Sequence, residues 1–287
     1  MQKNFRYNLR KGSKHDICPN CGKKEFKPYV DSNGNVVGEQ YGRCERVMSC
    51  GYLKYPKSYK NDDWTPPPPP PPPPPTEYIS EDIVEATMTE YDSNYFYLYL
   101  VSLFGDDIAN ELIHKYNIGT ATNGGTIFWQ KDKDGRYRTG KVIYYGSNGK
   151  RKKDRKSWFV HSKIKENFPF KQCFFGIHLD DGTMPTALCE SEKTAVIMSV
   201  LMPEYIWLAT GGSEMINLDR LIELKRLDKI FPDGGQREKW EQKTRTFPNR
   251  QIDYSVELAI MRGDIEQGSD ILDLIQFEYA RDNKQDK

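Results

Sequence analysis

Apolar positions in the second half of the chain come in short runs that stop at an acid or a glycine pair. Ala187-Leu188-Cys189 ends at Glu190, Tyr205-Ile206-Trp207-Leu208-Ala209 runs into Thr210-Gly211-Gly212, and Lys229-Ile230-Phe231-Pro232 ends at Asp233. Short apolar runs bounded by turn residues are buried strands, and the stretches between them repeat at the helical period. The pattern predicts strands over 186–189, 205–209 and 228–232, with helices over 192–202, 217–226 and 236–246. Strands alternating with helices make a parallel sheet covered by helices. Ligands of such sheets bind outside the carboxyl ends of the strands, which gathers Glu190 and Asp233 at one edge. A further acidic pair, Asp270-x-x-Asp273, follows. Converging carboxylates repel one another unless a cation neutralises them, and a hard ion such as Mg²⁺ suits oxygen donors.

Before these repeats the pattern is different. Residues 79–114 read as helical, with Ser93 as a cap for 94–104, Gly105 as a stop and Asp106 as the next cap. The stripe of Tyr95, Leu98, Tyr99 and Leu103 is a core-facing surface. Gly124-Gly125 opens a strand at 126–129, a turn follows at 132–135, and 140–145 is the returning strand. Ten consecutive prolines occupy 66–75. Such a run excludes helix and sheet, and as polyproline II it spans roughly 30 Å. The expected organisation is therefore a small domain at 1–60, a linker at 61–76, a helical and β-hairpin subdomain at 77–184, and an α/β domain at 185–280.

Cys18-Pro19-Asn20-Cys21-Gly22 and, further on, Cys44 and Cys50-Gly51 form two knuckles separated by a candidate ribbon, 26–30 and 36–41 around an Asp31-Ser32-Asn33-Gly34 turn. Four thiolates at two corners suit tetrahedral Zn²⁺, and with every position filled by sulfur the ion is structural. A domain this small has little core, so the metal would supply much of its stability. His15 is read as a surface histidine, while Cys173 and Cys189 are read as buried apolar residues.

The net charge of +1 hides an asymmetry: residues 1–60 carry 13 Lys and Arg against 5 Asp and Glu. A second basic block, Lys150-Arg151-Lys152-Lys153-Asp154-Arg155-Lys156, follows a glycine turn. Basic patches in a near-neutral chain suit a polyanionic partner, and a solvated face is the plainer alternative. The longest apolar run, 95–104, is too short to span a bilayer, and 1–14 has no apolar leader. With six cysteines in a long Lys-rich chain, a reducing cytoplasm is expected.

The order of Glu190, Gly211-Gly212 and Asp233 resembles the toprim domain, the metal-binding core of bacterial-type primases, topoisomerases and some nucleases. By that resemblance Glu190 acts as general acid/base or metal ligand, and Asp233 holds catalytic Mg²⁺ or Mn²⁺. Gly235 stands where the family has a second aspartate. The segment from Gly268 to Leu274 resembles a Gly-x-Asp-x-x-Asp tail of phage and plasmid primase-like proteins, which makes Asp270 and Asp273 candidates for the missing ligand. The hairpin with Arg138 and Lys141 resembles the basic β-subdomain that precedes the toprim core in primases. There these two residues, with the Lys150–Lys156 block, would hold phosphates. A zinc ribbon ahead of this core is also the primase order, and the whole resembles zinc-ribbon/toprim proteins of bacterial mobile elements.

The resemblance implies a toprim-like parallel sheet flanked by helices, and primer synthesis on single-stranded DNA by metal-dependent nucleotidyl transfer. Its partners would be single-stranded DNA, nucleotides and a separate helicase, since the sequence carries no P-loop. A catalytically degenerate toprim acting as a DNA-binding replication or mobilisation factor is the alternative, and a toprim nuclease a third. Plainer roles stand beside these. Glu190 could be a helix-terminal acid, Asp233 an N-cap for the helix containing Trp240, and Glu192 a surface charge beside Lys193.

Overall fold

The computed structural model describes residues 6–47, 49–56 and 75–285, with side chains described to 283. Nine of the ten prolines, and with them the expected polyproline spacer, lie outside the described residues. The chain divides into two compact units, 1–72 and 73–287.

The first unit is an antiparallel sheet in the order β1 (Asn8–Leu9), β2 (Phe26–Val30), β3 (Gly42–Cys44), β4 (Leu53–Lys54). Phe26 pairs with Cys44, which carries one cysteine corner onto the ribbon. The returning strand lies later than 36–41. Val36 makes only a single bridge to Val30, and a turn closed by Tyr41 N–H donating to Gly38 O interrupts the segment before pairing resumes at Gly42. The turn at Asp31 forms as read, its Oδ1 accepting from Asn33 N and Asn35 N at 2.9 Å each.

The second unit opens with three helices, α1 (Glu81–Glu85), α2 (Tyr95–Phe104) and α3 (Asp106–Lys115). The cap of α2 is Asn94, not Ser93: Asn94 Oδ1 accepts from Phe96 N at 3.1 Å and Tyr97 N at 3.4 Å. Gly105 ends the helix at φ +83°, a backbone that favours glycine, and is itself the N-cap position of α3 in place of Asp106. The core-facing residues of α2 are Phe96, Tyr97 and Leu100, whereas Tyr95, Leu98 and Leu103 of the expected stripe are exposed. An antiparallel sheet follows in the order β5 (Ile118–Thr120), β6 (Thr126–Lys131), β7 (Tyr137–Ile143), β8 (Trp158–Phe159), then the single turn α4 (His161–Ile164). One face of this sheet packs Ile127, Trp129, Val142 and Tyr144 against Ile79, Val84 and Phe168. The other face gives Phe128, Ile143 and Tyr145 to the main core.

The remaining elements alternate as expected: β9 (Thr186–Cys189), α5 (Glu192–Leu201), β10 (Ile206–Ala209), α6 (Leu218–Leu221), β11 (Lys229–Ile230), α7 (Arg237–Lys243). A fourth strand β12 (Gln251–Ile252), a helix α8 (Ser255–Arg262) and the final α9 (Ile271–Gln285) complete the unit. All strand pairs are parallel, in the order β10-β9-β11-β12. Successive residues of β9 serve opposite layers, as the period of two requires. Ala187 and Cys189 face the core containing α5, α8 and α9, whereas Leu188 packs with Leu221 of α6 and Trp240 of α7. Helix α6 is shorter than the expected 217–226, because Leu224 and Leu227 reach this second core from irregular chain.

The strand order fixes where a ligand can enter. From β9 the chain goes to β10 on one side and then to β11 on the other, so β9 and β11 are neighbours whose connections diverge. That is a topological switch point, which leaves a crevice at the carboxyl ends of the two strands.

Candidate functional site

Glu190 follows β9 and Asp233 follows β11, so both acids stand at this crevice. Asp233 is not the N-cap it could have been, whereas Glu190 does stand beside the N-terminus of α5. The N-cap of α7 is Gln236, and Asp233 contributes only its backbone oxygen, which accepts from Gln236 N. Among the described residues, Asp233 Oδ1 is buried without a hydrogen-bond partner. Burial first, then the charges of Glu190, Asp270 and Asp273, push its carboxyl up to about 8. Glu190 precedes the N-cap Ser191; burial raises its pKa, opposed by the backbone amide of Ser213 and by Lys141 and Lys239.

Asp270 and Asp273 reach the same neighbourhood, but each already has work. Asp273 N donates to Asp270 Oδ1 at 3.0 Å and Asp270 N donates to Asp273 Oδ2 at 3.1 Å, a reciprocal cap on α9. Thr194 Oγ1 also donates to Asp270 Oδ2. Among the described residues, no group of three of these carboxylates closes up as tightly as the cysteines do. At Gly235 the backbone has φ +81°, and the Gln267 amide fills the space a side chain would take. The donor chemistry of Glu190 and Asp233, with one orphaned oxygen, fits a single hard cation; the full family ligand set is not assembled.

The hairpin residues have other tasks than those first read from sequence. Arg138 is buried, with Nε donating to Asp132 Oδ2 at 3.1 Å and Nη1 to Glu223 Oε1 at 2.8 Å. Asp132 and Glu223, shared with Arg136 and Lys171, pair with it, and its side chain keeps only 11% exposure. Lys141 donates to both carboxylate oxygens of Glu192, at 2.9 and 3.1 Å, and to Gly211 O at 2.7 Å. Glu192 is correspondingly buried at 2% exposure and is not a surface partner of Lys193. No spacing in the sequence couples residues 141 and 192, so this pair was not legible there.

The second basic block does form a surface. Arg151, Lys152, Lys153, Arg155, Lys156 and Ser157 line a shallow open concavity of about 510 Å³. Lys152 lies over the Tyr95 ring at 5.0 Å and Arg155 over Tyr144 at 4.9 Å, holding the block against the fold. Exposed Lys150 lies near enough to the acidic crevice to oppose the raised pKa of Asp273, as does Lys193. Asp253, at the end of β12, was missed with its strand; it pairs with Lys229 Nζ at 3.0 Å and accepts from Ser255 N, which gives it a structural role. The run Gln251-Ile252-Asp253 holds a single apolar residue before the acid, too little for a strand signal.

In the first unit, Cys18, Cys21, Cys44 and Cys50 bring all four Sγ atoms within 4.8 Å of one another. Cys18–Cys50 is 3.8 Å and Cys21–Cys44 3.9 Å. A tetrahedron with Zn–S near 2.3 Å requires about 3.8 Å, so the donors fit the ion. Asn20 Nδ2 donates to Cys50 Sγ at 3.4 Å, and this bond leads the causes that bring the thiol down to about 6. His15 is not a ligand; its Nε2 lies 2.8 Å from Glu45. Tyr52 packs on Phe26 beside the cysteines, with ring centroids 6.0 Å apart.

Comparisons with known proteins agree on the first unit and leave the second open. Residues 5–65 match a family described as a zinc beta-ribbon finger. Residues 94–234 match a domain of unknown function, DUF6371, which spans the hairpin sheet and the strands through Asp233. No curated protein matches the chain. Among solved structures, the primase fragment of the bacteriophage T7 primase-helicase protein is similar over 84% of this chain and 88% of that one, at 14% identity and a TM-score of 0.38. A DNA primase domain from Pseudomonas aeruginosa is similar over 50% of this chain and 48% of that one, at 14% identity and a TM-score of 0.28. Among the described residues no helix is long and apolar enough to cross a membrane.

Proposed function

We propose that the crevice between β9 and β11 is a toprim-like site for metal-dependent nucleotidyl transfer, making short primers on single-stranded DNA. The observation that carries this reading is the meeting of Glu190 and Asp233 at the switch point, with Asp233 Oδ1 buried and, among the described residues, unpartnered. A buried acid without a partner is costly unless a proton or a cation is supplied to it. Bound there, Mg²⁺ or Mn²⁺ would neutralise charge on the reacting phosphate. Glu190 is the residue placed to hold or move a proton, since burial already favours its protonated form. The Lys150–Lys156 concavity beside the crevice would bind template phosphates, and the zinc ribbon would bind single-stranded DNA through its basic surface. Unwinding would fall to a separate helicase.

One observation favours a second reading. Gly235 leaves the position of the second aspartate without a carboxylate, and Asp270 and Asp273 are engaged in capping α9. A site so short of ligands suits a DNA-binding accessory factor without catalysis. Incubating zinc-loaded protein with single-stranded DNA, labelled ribonucleotides and Mg²⁺ or Mn²⁺ separates the two. Template-dependent short products that vanish in Glu190→Gln establish the primase reading. DNA binding without products, unchanged in that variant, establishes the accessory one, and metal-dependent nicking would point to a nuclease.

A further inference from the structure

We infer that Lys141 is a positioning residue: through Glu192 and Gly211 it fixes the glycine turn beside the Glu190 carboxylate, and so sets the geometry of the crevice. The inference rests on the crevice being the reactive site. Its basis is a closed circuit of hydrogen bonds around the ends of β9 and β10. Lys141 comes from β7 of the antiparallel sheet, whereas its partners belong to the parallel sheet, so the interaction ties the two sheets together. The three protons of the ammonium match its three acceptors, Glu192 Oε1, Glu192 Oε2 and Gly211 O. Both side chains are buried, at 11% and 3% exposure, leaving little surface for a ligand to approach the ammonium.

The circuit closes on Glu190. Gly211 N donates to Glu190 O at 2.9 Å and Thr210 Oγ1 to the same oxygen at 3.4 Å, while the backbone amide of Ser213, two residues further on, is close enough to lower the pKa of the Glu190 carboxyl. Gly211 has φ +78°, and a Cβ there would lie 2.8 Å from Glu192 Oε1. The glycine therefore serves both the turn and the close approach of the Glu192 carboxylate. Glu192 lies in the first turn of α5, where a carboxylate also faces the positive end of the helix. Without the lysine, the turn loses the side chain that anchors Gly211 O, and the Ser213 amide is freed to move with it.

The test uses the full-length zinc-loaded protein with Lys141→Met, Glu192→Gln and the double variant Lys141→Met/Glu192→Leu. The double variant replaces the buried pair by apolar groups and guards against simple failure to fold. Amide hydrogen exchange reads the turn whether or not the protein makes primers. In Lys141→Met and in the double variant, exchange at Gly211, Gly212 and Ser213 is expected to rise about tenfold, with β9 and β11 unchanged. Glu192→Gln keeps the bond to Gly211 O and should change these amides less. If the protein makes primers, kcat falls roughly 100-fold with the nucleotide KM nearly constant, as for a misplaced group. Unaltered exchange at the turn in a folded double variant overturns the inference, as does a rise in KM with kcat preserved, which would make Lys141 a ligand-binding residue. Absence of primers from the unmodified protein sinks the proposed reaction but leaves the exchange result to decide the positioning.

Discussion

Gln267 occupies the space beside Gly235 in which a second acidic side chain would have to stand. The glycine also sits at φ +81°, so the backbone resists a larger residue, whereas the Gln267 amide is the movable end of a flexible side chain. An acid placed at 235 itself should therefore be strained. Gly235→Asp is expected to cost about 1–3 kcal/mol in folding free energy and to bring no gain in Mn²⁺ affinity. Gln267→Glu delivers a carboxylate to the same space without strain and should tighten Mn²⁺ binding by about tenfold. Titration calorimetry with both variants checks the pair of outcomes.

Asp233 makes the second unit sensitive to pH in a defined direction. Its carboxyl is raised to about 8 in the folded chain against 3.8 ordinarily. The folded state thus binds a proton that the unfolded chain releases between these values. This contribution to stability is full below pH 4 and is lost as pH rises toward 8. Thermal melts in the absence of divalent ions should show the second unit weaker at pH 8 than at pH 5. Asp233→Asn should reduce that difference, leaving the smaller contributions of Glu190 and Asp273, and stabilise the protein at pH 8 by roughly 2–5 kcal/mol. Equal pH dependence in the variant would place the titrating group elsewhere.

The zinc unit should unfold on its own. Removing the ion with a chelator, or substituting Cys44→Ser, is expected to abolish the folded state of 1–60, since structural zinc supplies on the order of 10 kcal/mol to such domains. The calorimetric transition of the second unit should not move. One zinc per chain by elemental analysis is the matching stoichiometry.

Lys153 and Lys156 lie on the rim of the basic concavity. If they bind phosphates, Lys153→Ala/Lys156→Ala should weaken single-stranded DNA binding for every sequence tested. The slope of log affinity against log salt should fall by about 1.4, near 0.7 for each phosphate no longer neutralised. An unchanged slope would remove this surface from the DNA path. Arg138→Ala makes a contrasting control: it should destabilise the fold by removing the buried cation that Asp132 and Glu223 share, leaving them only Arg136 and Lys171, rather than change the salt slope.

The sequence by itself determined the elements and the metal. Four cysteines at two turns specify their own ligand chemistry, because thiolate donors and tetrahedral geometry are local properties. The three apolar strands ending at Glu190, Gly211 and Asp233 were legible because burial on both faces of a parallel sheet leaves an uninterrupted apolar run. Strand β12 was not, since its two residues are too short to carry a period. Only the tertiary structure decided which charges face outward. Arg138, Lys141 and Glu192 look like surface residues in a sequence, where charge is visible and its partner is not. Their partners lie 85, 51 and 51 positions away, and packing one sheet against another brings them together. The surroundings of Gly235 belong to the tertiary structure too, with Gln267 arriving from beyond α8 to stand beside it. Long-range pairing of this kind depends on how the layers pack, which no local pattern records.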